Sequence, residues 1–175
     1  MRPGQTGGRR PTRRTPAPAA HGDGGWARGA RGAADFIVYE GRRLSFDRFF
    51  AEADALAATL QREHGIGKGD RVAIAMRNCP EWSVAFTAAA LVGAIVVPVN
   101  SWGKMEELRF ALSDCGARCL ICDEPRYGLL AEVHDSLDID VLVAGTGAEF
   151  RSGARVHAFE GALARGEGGT YTMPP

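Results

Sequence analysis

An α/β fold with a mostly parallel sheet and helices on both faces is predicted by three observations. Short apolar strand-like runs alternate with longer segments of helical apolar spacing from about Val72 to Ala144. Strands separated by helices need crossover connections, and such strands pair in parallel. The runs Val72-Ala-Ile-Ala75 and Ile95-Val-Val97 are apolar throughout instead of alternating, which suits strands covered on both faces. Finally, 175 residues with 45% apolar and 24% charged side chains are enough for one globular core.

The elements follow in order. Phe36-Ile-Val-Tyr39 and Arg43-Leu-Ser45 flank Glu40-Gly41 and predict a hairpin. Ser45 suits an N-cap, and Phe46, Phe49, Phe50, Ala53, Leu56, Ala57 and Leu60 recur at helical spacing until Gly65 supplies a stop. After the Val72–Ala75 strand, Asn78-Cys79-Pro80-Glu81 places Pro at a first helical turn and an acid at the positive end of the helix dipole. This helix is expected from Pro80 to about Val92, buried, with Ala88-Ala89-Ala90 allowing close packing, and a buried strand Ile95–Val97 follows it. No charge occurs from Trp82 to Val99, a length that suggests a membrane span. Gly93 and Pro98 interrupt the segment, so no transmembrane segment is assigned.

Met105, Leu108, Phe110 and Leu112 predict a third helix without a good N-cap, because Gly103 precedes Lys104. A strand Arg118–Asp123, a helix Pro125–His134 and a strand Asp140–Ala144 continue the alternation. Beyond Gly145 the expectation is a short strand Val156–Ala158, a helical turn Phe159–Leu163 and a Gly- and Pro-rich tail. The predicted organisation is an Arg-, Gly- and Pro-rich arm over 1–33, an α/β domain over 34–164 and a tail over 165–175.

The formal net charge is zero and the sequence pI is about 6.9, so the molecule as a whole has no field to attract nucleic acid or an anionic membrane. The charge is uneven: Arg2, Arg9, Arg10, Arg13, Arg14, Arg28 and Arg31 face only Asp23 before Ala33. That Arg-, Gly- and Pro-rich arm has too few apolar side chains to offset its ordering entropy and is predicted to be disordered. It lacks the interleaved aromatics of a single-stranded nucleic-acid binder and the apolar core of a signal peptide. No nucleic-acid partner is assigned, and a cytoplasmic location is expected.

Candidate chemistry is sparse. Cys119 and Cys122 form a C-x-x-C with Cys115 upstream, but residues three apart on a strand point to opposite faces and cannot share a ligand sphere. They and Cys79 are read as reduced thiols, Cys119 and Cys122 as small core side chains. Gly65-Ile-Gly67-Lys68-Gly69-Asp70 follows a helix and leads into a strand, the reverse of a phosphate loop, and is read as a turn. Gly145-Thr146-Gly147 follows a strand, yet Phe150 stands where a dinucleotide fingerprint needs a small residue. His21, His64, His134 and His157 fall in separate elements and are read as surface or core histidines, and Asp114, Asp123, Asp138 and Asp140 as caps. No catalytic, cofactor-binding or metal-ligating residue is assigned.

The stretch Gly67-Lys-Gly-Asp-Arg-Val-Ala-Ile-Ala-Met-Arg-Asn-Cys-Pro-Glu-Trp82, followed by Leu91-Val-Gly-Ala-Ile-Val-Val-Pro-Val-Asn100, resembles the adenylate-forming (AMP-binding) superfamily, the acyl-CoA synthetases in particular. Leu44-Ser-Phe46 and Glu106–Arg118 extend the resemblance to about Asp35–Leu163. It implies the N-terminal subdomain of the adenylate-forming fold and a two-step reaction. ATP and a carboxylic acid, fatty or aromatic, give an acyl-adenylate and pyrophosphate, and coenzyme A then takes the acyl group. ATP, Mg and coenzyme A are thus implied for the full-length family, and none is expected to bind this fragment. The family's Ser/Thr/Gly-rich phosphate loop and its catalytic lysine lie downstream of the matched motifs, so the fragment is expected to be inactive alone. A non-enzymatic scaffold that docks on a partner chain, or self-associates, is the alternative.

Overall fold

The computed structural model describes residues 31–131, 134–145 and 153–175. The predicted arm falls almost wholly outside them, as does the Thr146–Phe150 part of the second glycine motif. The chain opens with β1 (Asp35–Tyr39) and β2 (Arg42–Ser45), an antiparallel hairpin. Glu40 and Gly41 both take positive φ, 46° and 80°, the backbone that a two-residue hairpin turn requires. Ser45 then caps α1 (Phe46–Arg62), its hydroxyl accepting the Arg48 N–H at 3.2 Å.

Five parallel strands follow: β3 (Arg71–Ala75), β4 (Ile95–Pro98), β5 (Cys119–Asp123), β6 (Asp140–Ala144) and β7 (Val156–Ala158), in spatial order β4-β3-β5-β6-β7. The connecting helices are α2 (Pro80–Leu91), α3 (Met105–Cys115), α4 (Glu124–Leu130) and, after β7, α5 (Phe159–Gly166). A single 3-10 turn, His134–Leu137, precedes β6.

The two-residue period of the strands divides the core in two. Val72, Ile74, Cys119, Ile121 and Leu142 face α1, α2 and α5, where Leu56, Leu60, Val84, Ala88, Phe159 and Ala162 meet them. Ala73, Ala75, Leu120, Cys122, Val141 and Val143 face the opposite layer, with Leu108 and Leu112 of α3 and Leu130 of α4. Cys119 and Cys122 therefore lie in different layers, as strand alternation requires. Small residues let the helices approach closely: a Cβ on Gly166 would lie 1.8 Å from the Ala55 carbonyl oxygen of α1. Thr59 of α1 donates to the Ala162 carbonyl at 2.7 Å across the same contact.

Several expectations are corrected. The strand at Ile95–Val97 is not buried: among the described residues β4 is the sheet edge, paired only with β3, and Ile95 is 54% exposed. α2 buries Val84, Ala85, Ala88 and Ala89 but turns Phe86 and Ala90 to solvent, so it is covered on one side only. Phe110 stands out from α3 at 69% exposure while Leu108 and Leu112, on the buried face, are 2% exposed. α3 does have a cap, because the Glu107 carboxylate reaches back to accept the Lys104 N–H at 3.1 Å. The helix expected over Pro125–His134 ends at Leu130, and the turn at Phe159–Leu163 is a helix that runs to Gly166.

Beyond α5 the chain folds back over α1. Tyr171 donates to Asp54 at 2.8 Å, and Thr172 exchanges two hydrogen bonds with the Gln61 side chain. No described helix is long and apolar enough to cross a membrane.

Candidate functional site

Ligand crevices in parallel α/β sheets lie outside the carboxyl ends of the strands, where successive connections diverge. β3 leads to β4 on one side, and the next strand, β5, lies on the other side of β3, so the divergence falls between β3 and β5. Arg77 follows β3 and Asp123 ends β5, and the Arg77 N–H donates to the Asp123 carboxylate at 3.2 Å across that gap. The same carboxylate accepts the Arg126 N–H at 3.2 Å, capping α4, and receives Arg126 Nη1 at 3.1 Å. Arg126 Nε donates to the Ser101 carbonyl at 2.7 Å, and the guanidinium lies 5.6 Å from the centroid of the Trp102 ring. Arg126 is only 7% exposed and Trp102 is 82% exposed. A buried cation is thus held by a carboxylate, a carbonyl and an aromatic face, and it fixes the loop after β4 to the end of β5.

Towards the other layer, a cleft of about 540 Å³ opens among the hairpin, α1, the first turn of α2 and α5. Phe159, Leu163 and Ala55 are apolar residues of its lining, and Arg42, Arg48, Glu52, Glu81, Glu160 and Glu167 supply its charge. Arg42 pairs with Glu81 at 2.9 Å and Arg48 with Glu52 at 2.7 Å. Glu160 accepts the Gly145 N–H at 3.2 Å, joining the start of α5 to the carboxyl end of β6. Burial alone would raise the Glu81 carboxyl, but backbone hydrogen bonding at the helix start and the Arg42 guanidinium outweigh it and hold the group below its ordinary value.

This lining does not fit a nucleotide triphosphate. Both guanidiniums are matched by glutamates, and two further glutamates remain, so the cleft repels phosphate instead of neutralising it. Among the described residues, no group of three or more His, Cys, Asp or Glu is placed to hold a metal ion. The turn Gly67–Asp70 is closed on itself, the Asp70 carboxylate accepting the Gly67 N–H at 2.9 Å and Arg118 Nη1 at 2.8 Å.

The thiols stay apart. Burial pushes Cys79 up to about 11 and raises Cys119 and Cys122 further, so none is a ready thiolate. The histidines, in contrast, are not all separate. His64, after α1, places Nδ1 3.0 Å from the Asp140 carboxylate at the start of β6, and its ring centroid is 5.3 Å from that of His157 in β7. Asp123 and Asp140 are therefore more than helix and strand caps. Each gathers groups far apart in sequence, and only the register of parallel strands could have shown it.

The family model for AMP-binding enzymes matches residues 26–163. Over 92 residues the chain is 36% identical to the long-chain-fatty-acid–CoA ligase FadD13 of Mycobacterium tuberculosis, covering 51% of this chain and 18% of that protein. It is 28% identical over 142 residues to 2-succinylbenzoate–CoA ligase of Bacillus velezensis, covering 79% of this chain and 28% of that protein. Its fold is similar to that of a solved putative long-chain-fatty-acid CoA ligase from Rhodopseudomonas palustris, with a TM-score of 0.67 and 28% identity over 77% of this chain and 33% of the other. Coronafacic acid ligase from Pectobacterium brasiliense superposes with a TM-score of 0.75 at 19% identity, over 85% of this chain and 29% of the other. The parallel sheet with its carboxyl-end crevice is thus the N-terminal subdomain of an adenylate-forming CoA ligase fold. The chain belongs to the AMP-binding enzyme family. It spans less than a third of the length of either curated relative named here.

Proposed function

We propose that residues 34–164 serve as the N-terminal scaffold of an AMP-forming acyl-CoA ligase, with 1–33 as an appended arm and 165–175 as a tail. The family match over 26–163 carries this reading. In it, the full-length enzyme activates a carboxylic acid, fatty or aromatic, with ATP and Mg and passes the acyl group to coenzyme A. In this reading the triphosphate and the metal are held elsewhere in the full-length enzyme, which the cleft of the described residues supports, lined as it is by four glutamates against two arginines. Their role is to set the crevice wall, through the Asp123–Arg126–Trp102 network on one side and the Glu160–Gly145 contact on the other.

A second reading is favoured by the free edge of β4 and the exposed Ile95 and Phe86. Such an edge is a template for pairing, so a non-enzymatic scaffold could dock there on a partner chain. Pyrophosphate–ATP exchange by the purified 175-residue chain tests the division of labour. The proposal expects no exchange above a no-enzyme blank with fatty or aromatic acids, and exchange above it would overturn the assignment of chemistry to residues outside this chain.

A further inference from the structure

We propose that His64, Asp140 and His157 form a proton-operated clasp, which holds β7 and α5 against α1 at neutral pH and loosens them on acidification. The three groups come from three places: the turn that follows α1, the first residue of β6 and the centre of β7. The His64 side chain is 5% exposed, with Nδ1 at 3.0 Å from Asp140 Oδ2. Against an ionised carboxylate that contact is an Nδ1–H donation. Nε2 is buried and has no hydrogen-bond partner among the described residues.

His157 stands beside it, the rings inclined at 56°. Two neutral imidazoles pack at that separation without electrostatic cost, whereas two imidazoliums repel. The His64 ring faces the Asp140 carboxylate, whereas no carboxylate among the described residues pairs with His157. The nearby acids are already matched: Asp140 and Asp138 both bind Arg155, Glu63 binds Arg165 of α5 at 2.8 Å, and Asp70 binds Arg118, which also donates to the Gly65 carbonyl. Burial first, then His64 and Arg165, hold the His157 imidazole below its ordinary value of 6.5, against a weaker opposing pull from Asp140 and Glu63.

The sign follows from linkage. Because the folded state takes up this proton less readily than the unfolded chain, the contribution of His157 to stability is complete above pH 6.5. It declines as the pH falls from there through the depressed folded value. The loss is focused on β7, a three-residue strand that among the described residues lies at the sheet edge and pairs only with β6, and is therefore among the cheapest elements to open. α5 follows β7 directly and lends Phe159, Glu160, Leu163 and Ala164 to the cleft, so loosening the clasp widens that cleft.

Amide hydrogen exchange on the 175-residue chain at pH 7.5 and 5.0, corrected for intrinsic rates, tests the clasp. Protection over Val156–Ala158 and α5 should fall more than protection in β3 and β5, because protonating the depressed His157 imidazole acts on β7 and not on the centre of the sheet. His157→Gln should abolish that excess. Equal loss across the sheet, no loss, or an unchanged excess in His157→Gln would overturn the proposal. Should the variant not fold, an NMR titration of the wild-type imidazoles decides: a His157 midpoint below 6.5 agrees with the clasp, and one at or above 6.5 rules it out.

Discussion

Gly93 joins α2 to β4 with φ of +77°, and its carbonyl accepts the Gly69 N–H at 3.0 Å. Replacing it with Val imposes two separate costs. The left-handed backbone disfavours any L side chain by about 1–2 kcal/mol, with β-branched residues at the upper end. In addition, a Cβ here would lie 2.3 Å from Pro174 Cγ and 3.4 Å from Lys68 Cα. Overpacking of this kind costs about 1–3 kcal/mol, and the Pro174 ring can lessen it by moving with the end of the chain. The sum, about 2–5 kcal/mol, corresponds to a urea midpoint lowered by on the order of 1–3 M. Combining the change with Pro174→Gly separates the terms, since the double variant keeps the backbone cost and loses the clash. It should therefore fall less, relative to Pro174→Gly alone, than Gly93→Val does relative to wild type. Urea unfolding in detergent-free buffer is the assay, and an unchanged midpoint in Gly93→Val would refute the turn.

Other consequences follow from the same packing. Gly166→Ala should be more damaging than Gly161→Ala, because the new methyl meets the Ala55 carbonyl oxygen at 1.8 Å in the first case, and in the second the flexible Arg165 side chain at 3.3 Å and Ala158 Cβ at an ordinary 3.9 Å. Thermal denaturation should show a loss of about 1–3 kcal/mol or more for Gly166→Ala, and a small effect for Gly161→Ala. Arg126→Met removes the cation that links Ser101, Asp123 and Trp102 while leaving the Asp123 carboxylate half-buried. A loss of about 3–5 kcal/mol is expected for breaking a buried pair, with Trp102 fluorescence changed in the folded state, and an unaltered emission spectrum would contradict the network. At pH 8 a soluble maleimide should label neither Cys119 nor Cys122 until urea unfolds the chain, since burial keeps both protonated.

The local pattern of the chain carried much of this architecture. Ser45, Pro80 and the Glu40-Gly41 turn mark their boundaries through capping and dihedral preferences that depend on a few neighbouring residues. The opposed directions of Cys119 and Cys122 follow from strand period alone. What the pattern does not encode is the order of strands. An apolar run such as Ile95–Val97 reads the same at the centre or the edge of a sheet, so the exposure of Ile95 emerges only once β4 is known to flank β3.

Phe110 shows a different limit. It falls among apolar residues of α3, but Leu108 and Leu112 are four apart on one face while Phe110 lies between them on the other. The sites were less legible than the fold. His64 meets Asp140 across 76 residues, and Arg126 reaches Ser101 across 25, contacts that are fixed by parallel register and by the loop after β4. The carboxyl-end crevice between β3 and β5 is foreseeable as a place from the βα alternation, whereas the separate acidic cleft depends on how the hairpin, α1, α2 and α5 converge.

The most direct test of the scaffold reading is to graft residues 34–164 in place of the matching N-terminal segment of a related acyl-CoA ligase and to measure acyl-CoA formation by the purified, folded chimera. The account predicts restored synthesis, above that of either part alone. A chimera that folds cooperatively and binds ATP yet forms no acyl-CoA would contradict it.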